Sequence, residues 1–88
     1  MITRQLTITN KLGLHARAAA KLVAIASRHD SRIEVIHGER RVDARSIMGL
    51  LTLGAARGTE VAVTADGQDA DAAMAEIEDL FERRFDEQ

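Results

Sequence analysis

The segment 70–85 reads ADAAMAEIEDLFERRF, and its apolar residues recur at steps of three and four, the period of an amphipathic helix. Asp69 and Asp71 place negative charge at the positive end of this helix dipole. Arg83 and Arg84 lie near its negative end. The segment therefore predicts a long helix whose buried stripe contains Ala70, Ala73, Met74, Ile77, Leu80, Phe81 and either Arg84 or Phe85.

The chain before this helix divides into six shorter elements. Steps of three and four residues from Ala16 predict a second amphipathic helix that ends between Ser27 and Asp30. Ser46 and Gly54 are typical start and stop signals, and they bracket a helix of about two turns. Alternation of apolar and polar residues predicts four strands, at residues 2–9, 32–36, 40–43 and 60–65.

The order of elements indicates the fold class. The two longer helices have one apolar face each, and in most strands every second residue is apolar, so the helices should cover one face of a sheet. We expect an α+β open-faced two-layer sandwich, with a four-stranded antiparallel sheet and three helices on one face. Its 88 residues should form a single domain, residues 1–88.

Composition excludes several functional classes. An 88-residue chain is too short for an enzyme with its own large substrate pocket. A formal net charge of -2 and an aromatic content of 2% disfavour a nucleic-acid-binding sandwich, which needs positive charge and stacking rings. The chain lacks cysteine, and no apolar run approaches the roughly 20 residues that span a bilayer. We therefore expect a cytoplasmic protein without membrane insertion.

Three histidines are candidates for chemistry. Their spacings match no common metal-binding motif, so neither a metal nor a cofactor is expected. His29, at the end of the first helix, and His37, in a hairpin turn, are predicted to be exposed and without a role. His15 differs because it lies at the start of the first helix.

The position of His15 suits an anion. The first backbone N–H groups of a helix, here those of Ala16 and Arg17, have no intrahelical acceptor, and the helix dipole adds positive charge. The Arg17 guanidinium suits phosphate oxygens, and Gly13 permits a tight turn before the ring. The alternative is a solvent-exposed loop histidine at a helix entrance, and local chemistry alone leaves both interpretations open.

Two segments resemble the HPr family, the histidine-containing phosphocarriers of the sugar phosphotransferase system and their nitrogen-related paralogues. Residues 10–23, NKLGLHARAAAKLV, are similar to the family's active-site segment, and residues 44–54, ARSIMGLLTLG, to its regulatory segment. The resemblance implies that His15 accepts a phosphoryl group on Nδ1 from enzyme I and passes it to permease components or regulatory proteins. It also implies a strand order of 1-4-2-3.

This sequence departs from the family pattern at two positions near His15. Ala18 stands where proline is common, and Leu12 replaces a small polar residue. Alanine sustains a helix by its own propensity, so we expect the site to survive. Leu12 offers no side-chain hydrogen bond.

Ser46 also has two interpretations. Its hydroxyl suits an ordinary N-cap, whereas the resemblance implies regulatory phosphorylation by an HPr kinase/phosphorylase. A two-turn helix cannot bury all of its apolar residues, so Met48 with either Ile47 or Leu51 should form an adaptable patch for partners.

The function expected from this sequence is that of a monomeric phosphoryl-transfer intermediate rather than a self-contained catalyst. The alternative is a non-catalytic adaptor or allosteric effector that uses the same surface without phosphoryl transfer.

Overall fold

The computed structural model describes residues 1–87. Its strands are β1 (Ile2–Thr7), β2 (Arg32–His37), β3 (Arg40–Asp43) and β4 (Glu60–Asp66). Its helices are α1 (Ala16–Ser27), α2 (Ile47–Thr52) and α3 (Ala70–Glu82), and a 3₁₀ turn follows at Arg84–Asp86. The predicted order of elements is therefore confirmed.

The four strands form one antiparallel sheet in the order β1-β4-β2-β3, which confirms the order implied by the family resemblance. Strand β4 lies between β1 and β2, with Leu6 opposite Val61 and Ile33 opposite Ala65. The short strand β3 lies at one edge, as its polar sequence predicts.

The helices pack on one face of this sheet, where the alternate residues of β2 and β4 meet the apolar stripes of α1 and α3. The residues of this core with the largest fully buried side chains include Ile8, Leu22, Ile33, Val35, Leu50, Val61, Val63, Ile77 and Leu80. This arrangement is the expected two-layer sandwich. Within residues 1–87, no helix has the combined length and apolar character needed to cross a bilayer.

The end of α3 differs from the sequence prediction. The helix ends at Glu82, and the backbone of Arg84, Phe85 and Asp86 turns into the left-handed region, with φ between 56° and 61°. Phe85 is nevertheless buried, with its ring centroid 4.8 Å from that of Phe81. The apolar stripe therefore continues into the core, but a reversal of the chain carries it rather than a further helical turn.

The prediction that His29 is exposed is wrong. Only 11% of its side chain is exposed, and each ring nitrogen faces a carboxylate of α3 or its N-cap. Nδ1 lies 3.1 Å from Asp69 Oδ2, and Nε2 lies 3.1 Å from Glu76 Oε1. His29 therefore joins the C-terminal end of α1 to the start of α3.

His37 is half-buried rather than exposed, because its ring turns toward the end of α2. Its Nδ1 lies 3.2 Å from the carbonyl oxygen of Leu53. This contact connects the β2–β3 hairpin to the C-terminal end of α2, a structural role that the sequence does not reveal.

Asp69, the N-cap of α3, also fixes the loop after α1. Its carboxylate accepts hydrogen bonds from the Ser31 hydroxyl and from the backbone N–H groups of Asp30 and Ser31, each N–H at 2.9 Å. Led by the Ser31 hydroxyl, these donors hold the pKa of Asp69 well below its usual range.

We therefore expect Asp69→Asn to lower the free energy of unfolding in a pH-dependent way. A carboxylate with a depressed pKa in the folded state stabilises above its unfolded pKa of about 3.9, and this contribution is lost as pH falls. The difference from wild type should be largest above about pH 5 and shrink in stronger acid, as measured by urea unfolding across pH. Asp71→Asn, which removes the same charge from the first turn of α3, is the control and should show a smaller effect.

Candidate functional site

The loop before α1 is built on Gly13, which has a left-handed φ of 68°. A Cβ at this position would lie 2.6 Å from the carbonyl oxygen of Ala55 and 2.9 Å from Cα of Ala56, so only glycine fits. The next N–H, that of Leu14, donates to the same Ala55 carbonyl at 2.9 Å. The backbone after α2 therefore sets the point at which α1 begins.

His15 is the N-cap of α1, as the sequence predicts, with an extended backbone and no capping hydrogen bond from its side chain. The first helical bond runs from the N–H of Ala19 to the carbonyl of His15 at 2.8 Å, so the N–H groups of residues 16–18 lack an intrahelical acceptor. The first turn of α1 contains no acidic residue. The positive end of this helix dipole is thus not neutralised from within the helix.

The ring of His15 borders a cleft of about 460 Å³, and 29% of the side chain is exposed. Its Nδ1 atom makes no hydrogen bond within residues 1–87. Arg17 is exposed on the same cleft, and its guanidinium forms neither a hydrogen bond nor an ion pair with any residue from 1 to 87. The remaining lining residues are Leu12, Ala16, Lys21, Phe85, Asp86 and Glu87.

Glu87 is a site residue that sequence reasoning missed. Its Oε2 lies 3.0 Å from Nε2 of His15 and accepts a hydrogen bond from Nδ2 of Asn10 at 3.0 Å, while its Oε1 accepts from the N–H of Leu12 at 2.9 Å. These donors, Asn10 first, lower the pKa of the Glu87 carboxyl below its usual value. The carboxylate therefore connects the chain after α3 to the loop that carries His15.

Ser46 is the N-cap of α2, as predicted, and its Oγ accepts a hydrogen bond from the N–H of Gly49 at 2.9 Å. The hydroxyl thus has a structural role as the cap of α2. Its side chain is half-buried.

The apolar surface of α2 is larger than expected. We predicted that Met48 and one neighbour would be exposed, but Met48 is 73%, Ile47 40% and Leu51 38% exposed. The helix buries Leu50, and Leu53 is buried just beyond its end, so these three side chains have no place in the core. We call Ile47, Met48 and Leu51 the α2 patch.

The loop of His15 and the segment after α2 lie side by side. Leu12, 65% exposed, and His15 line a groove together with the backbone after α2, residues 54–56. The cleft of His15 and the α2 patch therefore belong to neighbouring parts of the fold. No group of three or more His, Cys, Asp or Glu side chains between residues 1 and 87 is arranged to hold a metal ion.

The structure is thus an open-faced α+β sandwich whose first helix starts at a histidine. Residues 2–83 match the family described as PTS HPr component phosphorylation site. The chain is 48% identical over 87 residues to the phosphocarrier protein HPr of Xylella fastidiosa strain Temecula1, covering 99% of this chain and 98% of that protein. It is also 48% identical over 86 residues to the phosphocarrier protein NPr of Shewanella violacea, covering 98% and 94%.

A solved structure supports the same relationship. The crystal structure of HPr-C-His from Thermoanaerobacter tengcongensis superimposes with a TM-score of 0.96 at 41% identity, covering 100% of this chain and 99% of that one. The chain therefore belongs to the HPr family of phosphocarrier proteins of the phosphotransferase system.

Proposed function

We propose that His15 is the residue that carries the phosphoryl group, accepting it on Nδ1 from phosphorylated enzyme I and passing it to a permease component or a regulatory protein. The observation that carries this proposal is the position of His15 at the start of α1, beside the N–H groups of residues 16–18, which lack an intrahelical acceptor, and beside Arg17, whose guanidinium has no partner within residues 1–87. We place this activity in the cytoplasm and assign it to a single domain, residues 1–88, acting as a monomer.

The chemistry follows from the charges at the site. The Nδ1 lone pair of His15 attacks phosphorus, and the bond from phosphorus to enzyme I breaks. The transferred group brings negative charge to a helix end that has no acidic side chain of its own in the first turn. The N–H groups of Ala16 and Arg17 and the Arg17 guanidinium then bind its oxygens.

The α2 patch provides a surface for partners. Exposed methionine and aliphatic side chains adapt to more than one binding surface, which suits a carrier that must contact both a donor and an acceptor. The patch lies beside the cleft of His15, so one partner would cover both. An adaptor without phosphoryl transfer would use the same surface, and the next experiment separates the two.

We expect that incubation with enzyme I and labelled phosphoenolpyruvate labels the wild-type protein with one acid-labile, base-stable phosphoryl group. His15→Ala should abolish the labelling, because neither His29 nor His37 lies at a helix N-terminus beside an arginine such as Arg17. His37→Ala is the control and should remain a full acceptor. A labelled His15→Ala protein would refute the assignment of His15, and an unlabelled wild-type protein would favour the adaptor.

Arg17→Ala should slow phosphoryl transfer without unfolding the protein, since the side chain is exposed. Loss of one hydrogen-bond donor positioned on the developing charge typically reduces turnover about a hundredfold to a thousandfold. Rapid-quench transfer from enzyme I measures this effect. Arg40→Ala, which removes the same charge from the edge strand β3, is the control and should transfer at the wild-type rate. An equal loss of rate in both variants would show that Arg17 acts only through the net charge of the surface and not at the site.

We further propose that phosphorylation of Ser46 by an HPr kinase/phosphorylase weakens partner binding. A phosphate at the N-terminus of α2 meets free N–H groups and a favourable dipole, so the fold tolerates it. The same charge borders the α2 patch, where a docked partner would have to remove its water. The modification therefore acts on association rather than on the chemistry at His15.

Ser46→Asp should raise the KM for enzyme I about tenfold, equivalent to about 1.4 kcal/mol, with little change in kcat or in the melting temperature. Ser46→Ala is the matched control. It removes the cap to Gly49 and should cost about 1 kcal/mol of stability while leaving KM unchanged. If Ser46→Asp lowers the melting temperature by several degrees, or leaves KM unchanged, Ser46 is a helix cap only.

A further inference from the structure

We propose that Glu87 is a positioning residue for His15, with a carboxylate that keeps the imidazole proton on Nε2 and leaves the Nδ1 lone pair free for the phosphoryl group. This inference rests on the proposed function of His15. It adds a residue from beyond α3 to a site otherwise formed by the start of α1.

Two hydrogen-bond donors of the loop before His15 hold the carboxylate of Glu87. The N–H of Leu12 donates to Oε1, and Nδ2 of Asn10 donates to Oε2. Asn10 is itself buried, and its Nδ2 also donates to the Gly13 carbonyl at 2.7 Å. The position of Oε2 next to the His15 ring is therefore set by the loop that also sets the start of α1.

The chemistry of a carboxylate fixes the direction of the His15 contact. An ionised carboxylate only accepts hydrogen bonds, so Nε2 at 3.0 Å must be the donor. The lowered pKa of Glu87 keeps this carboxyl ionised at neutral pH. In a neutral imidazole a proton on Nε2 leaves Nδ1 unprotonated, and Nδ1 makes no hydrogen bond within residues 1–87.

Contacts of the chain after α3 place Glu87 next to His15. Phe85 is anchored in the core against Phe81, and the left-handed turn at Arg84–Asp86 reverses the chain. Asp86 then pairs with Lys21 of α1, with Nζ 3.0 Å from Oδ2. The charged groups around His15 are thus Arg17 and Lys21 from α1, and Asp86 and Glu87 from the chain after α3.

A fixed proton on Nε2 simplifies the transfer. When the Nδ1 lone pair forms the bond to phosphorus and the bond to the donor breaks, the ring gains positive charge, and the Glu87 carboxylate balances this charge at Nε2. When the acceptor attacks, the Nδ1–P bond breaks and the electron pair returns to Nδ1. The Nε2 proton stays in place throughout, so neither half-reaction requires a proton to enter or leave the ring.

The test compares wild type with Glu87→Gln, Glu87→Ala and the control Glu82→Gln. Glu82 is exposed at the end of α3 and carries the same charge without contacting His15. 15N NMR of the ring nitrogens, recorded well above the ordinary histidine pKa of about 6.5, identifies which nitrogen holds the proton. Phosphoryl transfer from enzyme I is measured on the same four proteins, with kcat and KM determined separately.

We expect wild type and Glu82→Gln to hold the proton on Nε2. Glu87→Gln should mix the two tautomers, because a carboxamide offers both a donor and an acceptor to Nε2. Its kcat should fall about tenfold or more, with KM nearly unchanged, and Glu87→Ala should behave in the same way. A residue that only tied down the chain end would lower the melting temperature and leave the tautomer unchanged.

A wild-type proton on Nδ1 overturns the proposal, as does Glu87→Gln with an unchanged tautomer or an unchanged kcat. Failure of the proposed function looks different, because the wild-type protein would then take no phosphoryl group. The NMR measurement needs no transfer and still decides whether Glu87 orients the ring.

Discussion

The close approach of two backbone segments, Gly13 against Ala55 and Ala56, is the constraint on which the site depends. No side chain separates them, because a Cβ on Gly13 would lie 2.6 Å from the Ala55 carbonyl oxygen. The contact fixes the start of α1, and hence His15, relative to the end of α2. It also places Leu12 beside the segment that follows the α2 patch. A direct backbone contact therefore helps to fix the loop of His15 relative to the segment that follows the α2 patch.

Two of the three histidines show how surroundings assign different roles to the same side chain. His29 faces a carboxylate at each ring nitrogen, with only 11% of its side chain exposed. Both of its nitrogens are occupied, so the ring connects helices. His15 faces one carboxylate at Nε2, its Nδ1 makes no hydrogen bond within residues 1–87, and the ring borders an open cleft. A ring nitrogen without a partner within residues 1–87, next to the start of α1 and to Arg17 on the same cleft, distinguishes His15 from the structural contact that His29 makes.

Local sequence patterns predicted the elements, the cap at Ser46 and the place of His15, because each of these depends on neighbours within a few residues. The roles of His29 and Glu87 depend on residues far away in the chain. His29 meets Asp69 and Glu76 only after α1 and α3 pack, and Glu87 reaches His15 across 72 positions. The left-handed turn begins at Arg84 and Phe85, residue types that rarely adopt a positive φ, so the sequence gives no signal for the start of the reversal. The sequence predicted only part of the α2 patch, because helical periodicity does not show how many apolar residues of a short helix are buried in the core.

The contrast between the N-termini of α1 and α3 has a thermodynamic consequence. α3 has Asp71 in its first turn, whereas α1 has no acidic residue there, so the dipole of α1 lacks an internal counterion. An anion that interacts with the folded helix but not with the unfolded chain raises the free energy of unfolding by the free energy of that interaction. A charge-bearing group on His15 would therefore act as a temporary cap of α1. The folded state would be more stable with the charged group on His15 than without it. Without the group, the first turn of α1 would be less stable.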